Sequence, residues 1–291
     1  MRANGRGRNL RVLNYLGVVL VCLWLLLPFY WLAATSFMRL PDLASVPPQY
    51  IPLSPTLSNY FQIIVGGTFF EKGLSQGSVE IRSILPTLAN SIIVGLGLVA
   101  YTLLLACPAG YAYSRYRFPG SNLTFFMLLT LRAVPLMAMV IPFFIIFRIL
   151  NLINTYLGLI LAQSVLTIPF AVWIFRDYVD AIPRDMEEAA LIDGASRLGA
   201  FYRVLLPLSR PGITAIAVFC FITSWGEFLF ALILTNGLTL PPVLAGFQAS
   251  NQVAWTQLAA ASCFAMIPPI ALILLFQKYL VRGLAGGALK A

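Results

Sequence analysis

The chain has 291 residues, of which 60% are hydrophobic and only 10% are charged, and its formal net charge is +9. This is more apolar surface than the core of a soluble protein of that length would bury, so the composition excludes a soluble globular fold and predicts a membrane protein. The positive charge does not indicate a nucleic-acid partner, because the basic residues are not clustered with exposed aromatic residues on a soluble domain. We expect them to contact anionic lipid headgroups.

Three long stretches without a charged residue predict membrane-spanning helices. They comprise 27 residues between Arg11 and Arg39, 32 between Arg82 and Arg115, and 27 between Arg148 and Arg176. Each is longer than the roughly 20 residues that an α-helix needs to cross about 30 Å of hydrocarbon. These stretches predict spans at about 13–36, 85–107 and 155–175.

The rest of the chain contains enough apolar sequence for three more spans. One of them includes a charged residue, Arg132. The 50 uncharged residues from Phe228 to Gln277 are too many for one crossing, and Asn236-Gly237 together with Pro241-Pro242 marks a loop that divides them. These further spans are predicted at about 123–147, 211–234 and 259–280.

The sequence thus predicts an all-α, polytopic membrane fold with about six transmembrane helices, in a single domain (13–291) that follows a short segment (1–12). With both termini in the cytoplasm, the cytoplasmic segments hold fourteen basic residues and the outer segments hold four, which is the orientation that the positive-inside rule favours. The cysteines lie far apart in the predicted spans, so we expect them to pack in the membrane rather than bind a metal. They are Cys22, Cys107, Cys220 and Cys263.

Charge is concentrated in residues 176–210, here called the polar loop. Six of the ten acidic residues and five of the nineteen basic ones lie in it. Pro183 suits a first helical turn, and the acidic residues that follow suit a helix N-terminus. Gly194 then interrupts the helix, and a second short helix is predicted from an N-cap at Ser196 to a break at Pro207. From this pattern alone, the hairpin could lie on the membrane surface or dock a soluble protein.

A motif in the polar loop favours docking. Three residues separate Glu188-Ala189-Ala190 from Gly194. Nine residues then separate Gly194 from Val204, and one residue separates Val204 from Leu206-Pro207. This pattern resembles the signature loop of the membrane subunits of ATP-binding-cassette importers, and Val204 in place of Ile is the one departure. In that family the first helix of the loop inserts into a groove on a separate ATPase subunit. The resemblance implies ATPase-coupling roles for Glu187, Glu188, Ala189, Ala190, Asp193, Gly194, Ala195, Leu206 and Pro207.

The resemblance also implies the partners of the chain. The sequence has no phosphate-binding Gly-x-x-x-x-Gly-Lys-Ser/Thr motif, so the chain is expected not to be an enzyme and to hold no cofactor, with ATP and Mg on partner subunits. Those partners would be a second permease subunit, which completes a heterodimer, two ATPase subunits and an extracytoplasmic solute-binding protein. The expected location is the cytoplasmic membrane of a bacterium or archaeon.

Four segments resemble the maltose-type sugar permease subunit that pairs with a different second permease. They are 111–120, 154–161, 224–231 and 281–290. The chain departs from that subunit at Trp225-Gly226-Glu227, where Trp-Asn-Glu is usual. The resemblance predicts import of a sugar or sugar derivative by alternating access. The same class of importer for a polyamine or phosphonate stays an alternative, and a stand-alone secondary transporter is a further one.

Two ionisable residues fall inside predicted spans. Insertion of an arginine such as Arg132 costs roughly 2.5–3.5 kcal/mol at the membrane centre, so it should face the interior of the helix bundle, as should Glu227. They could pair with each other or with other groups in the protein. Alternatively, Arg132 lines the solute pathway and meets an anionic or hydroxyl-rich solute, with Trp225 and Glu227 as further candidates for the pathway.

Overall fold

A computed structural model describes residues 4–43, 45–70, 78–81, 83–247 and 254–288, and side chains are described within 14–43, 45–67, 83–247 and 254–278. The predicted N-terminal segment and the C-terminus therefore lie partly outside the described residues. The chain divides into two compact units. Unit 1 comprises residues 1–84 and 244–266, and unit 2 comprises residues 85–243 and 267–291.

Helices make up most of the fold, as the sequence predicts. They are α1 (Asn4–Ser36), α2 (Leu40–Leu43), α3 (Ser58–Val65), α4 (Ile84–Arg115), α5 (Ser121–Thr130), α6 (Leu136–Ile149), α7 (Tyr156–Asp180), α8 (Asp185–Ile192), α9 (Arg197–Ala200), α10 (Leu206–Leu208), α11 (Arg210–Gly226), α12 (Leu229–Leu234), α13 (Leu240–Gly246) and α14 (Trp255–Ala288). A two-stranded antiparallel hairpin, which the sequence did not predict, joins β1 (Gly67–Phe70) to β2 (Ser78–Ile81) with Gly67 opposite Ile81.

Four of the described helices are long and apolar enough to cross a membrane. The apolar parts of α1, α4, α7 and α14 correspond to the predicted spans 13–36, 85–107, 155–175 and 259–280. The number rises to six if each of two sharply bent helix pairs forms one span. Helix α4 continues well past the predicted end at residue 107 and reaches Arg115, which brings its polar C-terminal turn to the polar loop.

The span predicted at 123–147 is not a straight helix but a bent pair of helices. A 3₁₀ turn, Leu131–Ala133, follows α5, and the helical segments on either side of the break make an angle of 98°. Pro135 explains the position of the break, since proline pushes the preceding residue out of the helical region. Val134 accordingly has an extended ψ of 124°.

The span predicted at 211–234 is also divided. Helix α11 ends at Gly226, Glu227 has an extended backbone with ψ of 120°, and α12 begins at Leu229. At the other end, the segments Arg197–Leu208 and Arg210–Gly226 meet at 74°. The bend lies at Ser209, two residues beyond the predicted break at Pro207.

Unit 1 is held together by polar contacts around α3. The amide nitrogen of Asn59 donates to the carbonyl oxygens of Ser36 (2.9 Å) and Met38 (2.8 Å), which ties α3 to the end of α1. The ring of Tyr60 lies edge-on to Phe264 of α14, with ring centroids 5.7 Å apart. The side chains of residues 14–31 in α1 are exposed. That part of α1 therefore offers an apolar surface to surroundings outside the chain.

Unit 2 has its main core between α4, α7 and α11. Phe175 is fully buried in a cluster that includes Ala106 of α4 and Cys220 of α11. Close approach of α4 to α7 depends on Gly110, where an added Cβ would lie 3.0 Å from the backbone of Val172 and Arg176. Phe201, in the π-helical turn between α9 and α10, packs in the same cluster. The core of the bundle thus extends into the polar loop.

Candidate functional site

The polar loop folds as the helix–glycine–helix hairpin that the sequence predicts. Helix α8 carries acidic residues in its first turn, and Ser196 caps α9 by accepting a hydrogen bond from the Gly199 amide at 3.1 Å. Between the helices, Gly194 has a φ of +88°, in the left-handed region that favours glycine. The amides of Gly194 and Ala195 donate to the carbonyl oxygens of Leu191 and Ala190, which completes a Schellman motif.

Glu187 anchors the polar loop to the C-terminal turn of α4. Its carboxylate lies 2.5 Å from the Arg115 Nε, and the Tyr111 hydroxyl donates to its other oxygen at 3.1 Å. The side chains of Arg115 and Glu187 are only 8% and 11% exposed. Arg115 also donates from an Nη to the Ile182 carbonyl oxygen at 2.9 Å. One arginine therefore holds both α8 and the segment that enters it.

A second contact ties α4 to the end of α7. The hydroxyl of Ser114 donates to the Asp180 carboxylate, with 2.5 Å between the oxygens. Ser114 and Arg115 are consecutive, so the last turn of α4 holds the polar loop at two points that are close together. Helix α4 is thus linked to α8 by side chains as well as by the intervening chain.

Seven of the nine predicted coupling residues lie in α8 or directly after it, but the nine do not share one environment. Glu187 is buried and faces α4, and each of its carboxylate oxygens accepts a hydrogen bond from that helix. Four are exposed and four are partly buried. The exposed ones are Glu188, Ala189, Asp193 and Gly194, and the partly buried ones are Ala190, Ala195, Leu206 and Pro207.

Sequence reasoning missed the large apolar side chains on the outer surface of the hairpin. Ile192 is 86% exposed and Leu198 is 69% exposed, and Met186 and Leu191 are exposed as well. Met186, Ala189 and Ile192 recur at intervals of three, a spacing that places them on one side of a helix and could have indicated this surface. Exposed apolar groups on a charged hairpin are typical of a protein interaction site.

The predicted pathway residues do not form one cluster. The carboxylate of Glu227 accepts hydrogen bonds from the backbone amides of Phe230 (2.7 Å) and Ala231 (3.1 Å), so it caps α12. It also accepts a hydrogen bond from the side-chain amide of Gln163 at 3.3 Å, and no sequence pattern indicated this role for Gln163. Glu227 and Arg132 do not form the suggested ion pair in the described residues. Trp225 is buried and stacks on Phe221, with ring centroids 5.5 Å apart.

Arg132 has a different environment. Its side chain is exposed at the break between α5 and α6, and its guanidinium carbon lies 4.8 Å from the Phe170 ring centroid and 5.9 Å from that of Phe219. Within the part of the chain that the structure describes, no carboxylate lies within ion-pair distance of it. The same residues contain no group of three or more potential metal ligands.

The long apolar helices define a multi-pass membrane protein, and the anchored, exposed hairpin is its candidate docking loop. Residues 102–286 match the family described as binding-protein-dependent transport system inner membrane component, and the chain belongs to this family. It is therefore a transport permease subunit of a binding-protein-dependent, ATP-binding-cassette system.

Two relatives align with nearly the whole chain. The trehalose/maltose transport system permease protein MalG of Thermococcus litoralis is 34% identical over 284 residues, which cover 96% of this chain and 97% of that protein. The sulfoquinovosyl glycerol transport system permease protein SmoH of Agrobacterium fabrum is 33% identical over 268 residues, covering 91% of this chain and 89% of that protein.

The fold is also similar to that of a solved transporter. A chain of a bacterial ABC transporter involved in the import of the acidic polysaccharide alginate superposes with a TM-score of 0.76 and 21% identity, covering 96% of this chain and 99% of that one. At this identity the similarity shows the fold alone. It shows that this chain has the fold of an importer permease.

Proposed function

We propose that this chain is a permease subunit of an ATP-driven importer of a sugar or sugar derivative. The relatives named above are described as permeases for trehalose/maltose and for sulfoquinovosyl glycerol. Their shared sugar chemistry, at about one-third identity over most of the chain, supports a sugar solute here. The chain would form half of the translocation pathway, and a second, different permease would form the other half.

The anchored polar loop is the observation that carries the coupling part of the proposal. Helix α8 exposes Glu188, Ala189 and Ile192 on its outer surface while Glu187 binds Arg115 on its inner side. A soluble subunit that grips the outer surface would therefore pull on the last turn of α4 through a buried ion pair. The hairpin is joined by the chain to α7 and α11 as well, so force applied to α8 would reach three membrane helices.

These contacts suggest how alternating access would work. ATP and Mg would be bound by two ATPase subunits below the membrane, with both termini of this chain on that side. Closure of the ATPases on ATP would draw the polar loops of the two permeases together and open the cavity toward a docked solute-binding protein. Hydrolysis would then reset the inward-facing state. The residues of this chain supply the mechanical link and no chemistry.

Reconstitution of the whole transporter tests this function. The chain should co-purify with a companion permease and an ATPase, and the complex in proteoliposomes should accumulate a sugar only with ATP and the solute-binding protein. A complex that imports a polyamine or phosphonate and no sugar would support the same class of importer and contradict the sugar solute. Uptake driven by a proton or sodium gradient without an ATPase would contradict the whole proposal.

A further inference from the structure

The break between α5 and α6 places a cation near the middle of the span predicted at 123–147. Arg132 lies eleven residues after Ser121, the first residue of α5, and a helix rises about 1.5 Å per residue, so Arg132 is about 17 Å from that end. This is roughly half of the 30 Å of hydrocarbon. An arginine at that depth belongs in a bundle interior or beside water, and not against lipid.

The Arg132 guanidinium lies over aromatic rings from two other helices. Phe170 of α7 and Phe219 of α11 both lie beneath it, with their own ring centroids 4.4 Å apart. Trp173, one turn after Phe170, is 42% exposed and has its ring 5.7 Å from that of Phe170. Three separate elements thus place a cation beside an accessible aromatic surface.

The donors of Arg132 are unused by the described part of the chain. A guanidinium has five N–H donors in its plane, and a contact between its face and an aromatic ring leaves them available. In the described residues, Arg132 makes neither a hydrogen bond nor an ion pair. Glu227, the acidic residue predicted in a span, has its carboxylate occupied by α12 and Gln163. The described residues therefore supply no anion for Arg132.

We infer that Arg132 recognises an anionic group on the transported solute, so that the substrate is an acidic sugar carrying a carboxylate, sulfonate or phosphate. This inference rests on the proposed function. The planar fork of arginine binds two oxygens of such a group side by side. The exposed side chain of Trp173 offers an apolar surface on which the C–H face of a sugar ring packs. A neutral sugar would leave the unpaired guanidinium of Arg132 without a matching charge.

Matched pairs of sugars test the inference. The whole transporter, reconstituted with its solute-binding protein, is offered glucose against glucuronate and maltose against maltobionate. The acidic member of a pair should be imported, and Arg132→Gln should lower its uptake about 10- to 100-fold, since a hydrogen bond to a charged group contributes about 1.5–3 kcal/mol. Arg148→Gln is the control, because Arg148 is an exposed arginine at the end of α6. It should leave the uptake unchanged.

The outcomes separate a failure of the inference from a failure of the proposed function. Import of the neutral members, unchanged by Arg132→Gln, would overturn the inference and leave the proposed function standing. Failure of every sugar to be imported would contradict the proposed function and the inference with it. If Arg132→Gln separates the permease subunits, the anion belongs to the companion subunit and the inference is wrong.

Chemical restoration of the charge distinguishes recognition from a general defect in folding. Arg132→Cys is treated with a cationic aminoethyl or an anionic sulfonatoethyl methanethiosulfonate, and the unsubstituted chain is treated in parallel because it has free cysteines. The cationic reagent should restore uptake of the acidic sugar and the anionic one should not. Equal restoration by both reagents, or restoration by neither, would show that positive charge at this position is not what the solute needs.

Discussion

Arg115 and Glu187 form a buried ion pair between residues 72 positions apart, with 2.5 Å between Nε and Oε1. This contact makes the first helix of the polar loop part of the membrane bundle. A docking helix joined to the membrane helices only by flexible connecting segments could move without moving those helices. Here a displacement of α8 has to move α4 or break the pair.

The pair itself can be tested by exchange of its charges. Arg115→Glu or Glu187→Arg alone leaves two like charges in a buried site, and loss of one partner from such a pair costs about 3–5 kcal/mol. We expect either variant to lose most ATP-driven uptake while the ATPases keep hydrolysing ATP. The double exchange should recover part of the uptake. Transport and ATP hydrolysis are measured together in proteoliposomes.

Arg117→Glu is the matched control for the charge exchange. Arg117 is exposed just beyond α4, so its reversal should affect uptake little. Normal coupling in both single variants at Arg115 and Glu187 would show that the pair is not needed for transmission of force.

Substitution of Gly194 tests the bend between α8 and α9 without introducing a steric clash. An added Cβ would meet nothing within 4 Å, yet the φ of +88° is unfavourable for L residues other than Asn or Asp. We expect coupled uptake to decrease in the order Gly, Asn, Ala, Val, and the Ala variant to cost about 1–2 kcal/mol locally. Equal uptake by all four proteins would mean that the left-handed turn has no role in docking.

Replacement of Glu227 should affect folding more than solute selectivity. Glu227→Ala leaves the amides of Phe230 and Ala231 without their acceptor in a buried site, at a cost of about 1–3 kcal/mol. The variant should unfold at a lower temperature in detergent. Glu227→Gln keeps one acceptor oxygen and should lose less. A change in which sugar is imported, at unchanged thermal stability, would instead place Glu227 in the pathway.

Gly158 marks a close approach at the start of α7. A Cβ there would lie 2.2 Å from the Leu152 carbonyl oxygen, so Gly158→Ala should lower the amount of folded protein in the membrane. Gly17→Ala in α1 is the control, since nothing lies within 4 Å of the added Cβ and alanine favours a helix by about 0.5–1 kcal/mol. Similar amounts of both variants would show that the local backbone can relax.

The membrane helices and the helix–glycine–helix hairpin of the polar loop were predictable because their causes are local. Hydrocarbon excludes charge, so uncharged stretches identify α1, α4, α7 and α14, and Gly194 with Ser196 identifies a turn and a cap. The 98° angle before α6 was not predictable. Pro135 determines where the helix breaks, but the direction of the next helix depends on which helices it packs against.

The assignment of side chains within the site needed the tertiary structure. Glu187 and Glu188 are neighbours with the same chemistry, and only the position of Arg115 decides that the first is buried and the second exposed. From the sequence alone, an ion pair between Glu227 and Arg132 was possible. The break after Gly226 instead places its carboxylate against the next amides, and a break of this kind inside an apolar stretch has no strong sequence signal.

A crosslink from the outer surface of α8 tests whether the polar loop contacts an ATPase subunit. Ile192→Cys places a thiol at a side chain that is 86% exposed. Val46→Cys is the control, because Val46 is 94% exposed and lies between the predicted spans 13–36 and 85–107, on the outer side of the membrane in the predicted orientation. In membranes holding the whole transporter, a photoactivatable label at position 192 should capture an ATPase subunit, and the yield should change with ATP. Capture of lipid alone at position 192, with no ATPase, would contradict the claim that the hairpin receives force from that subunit.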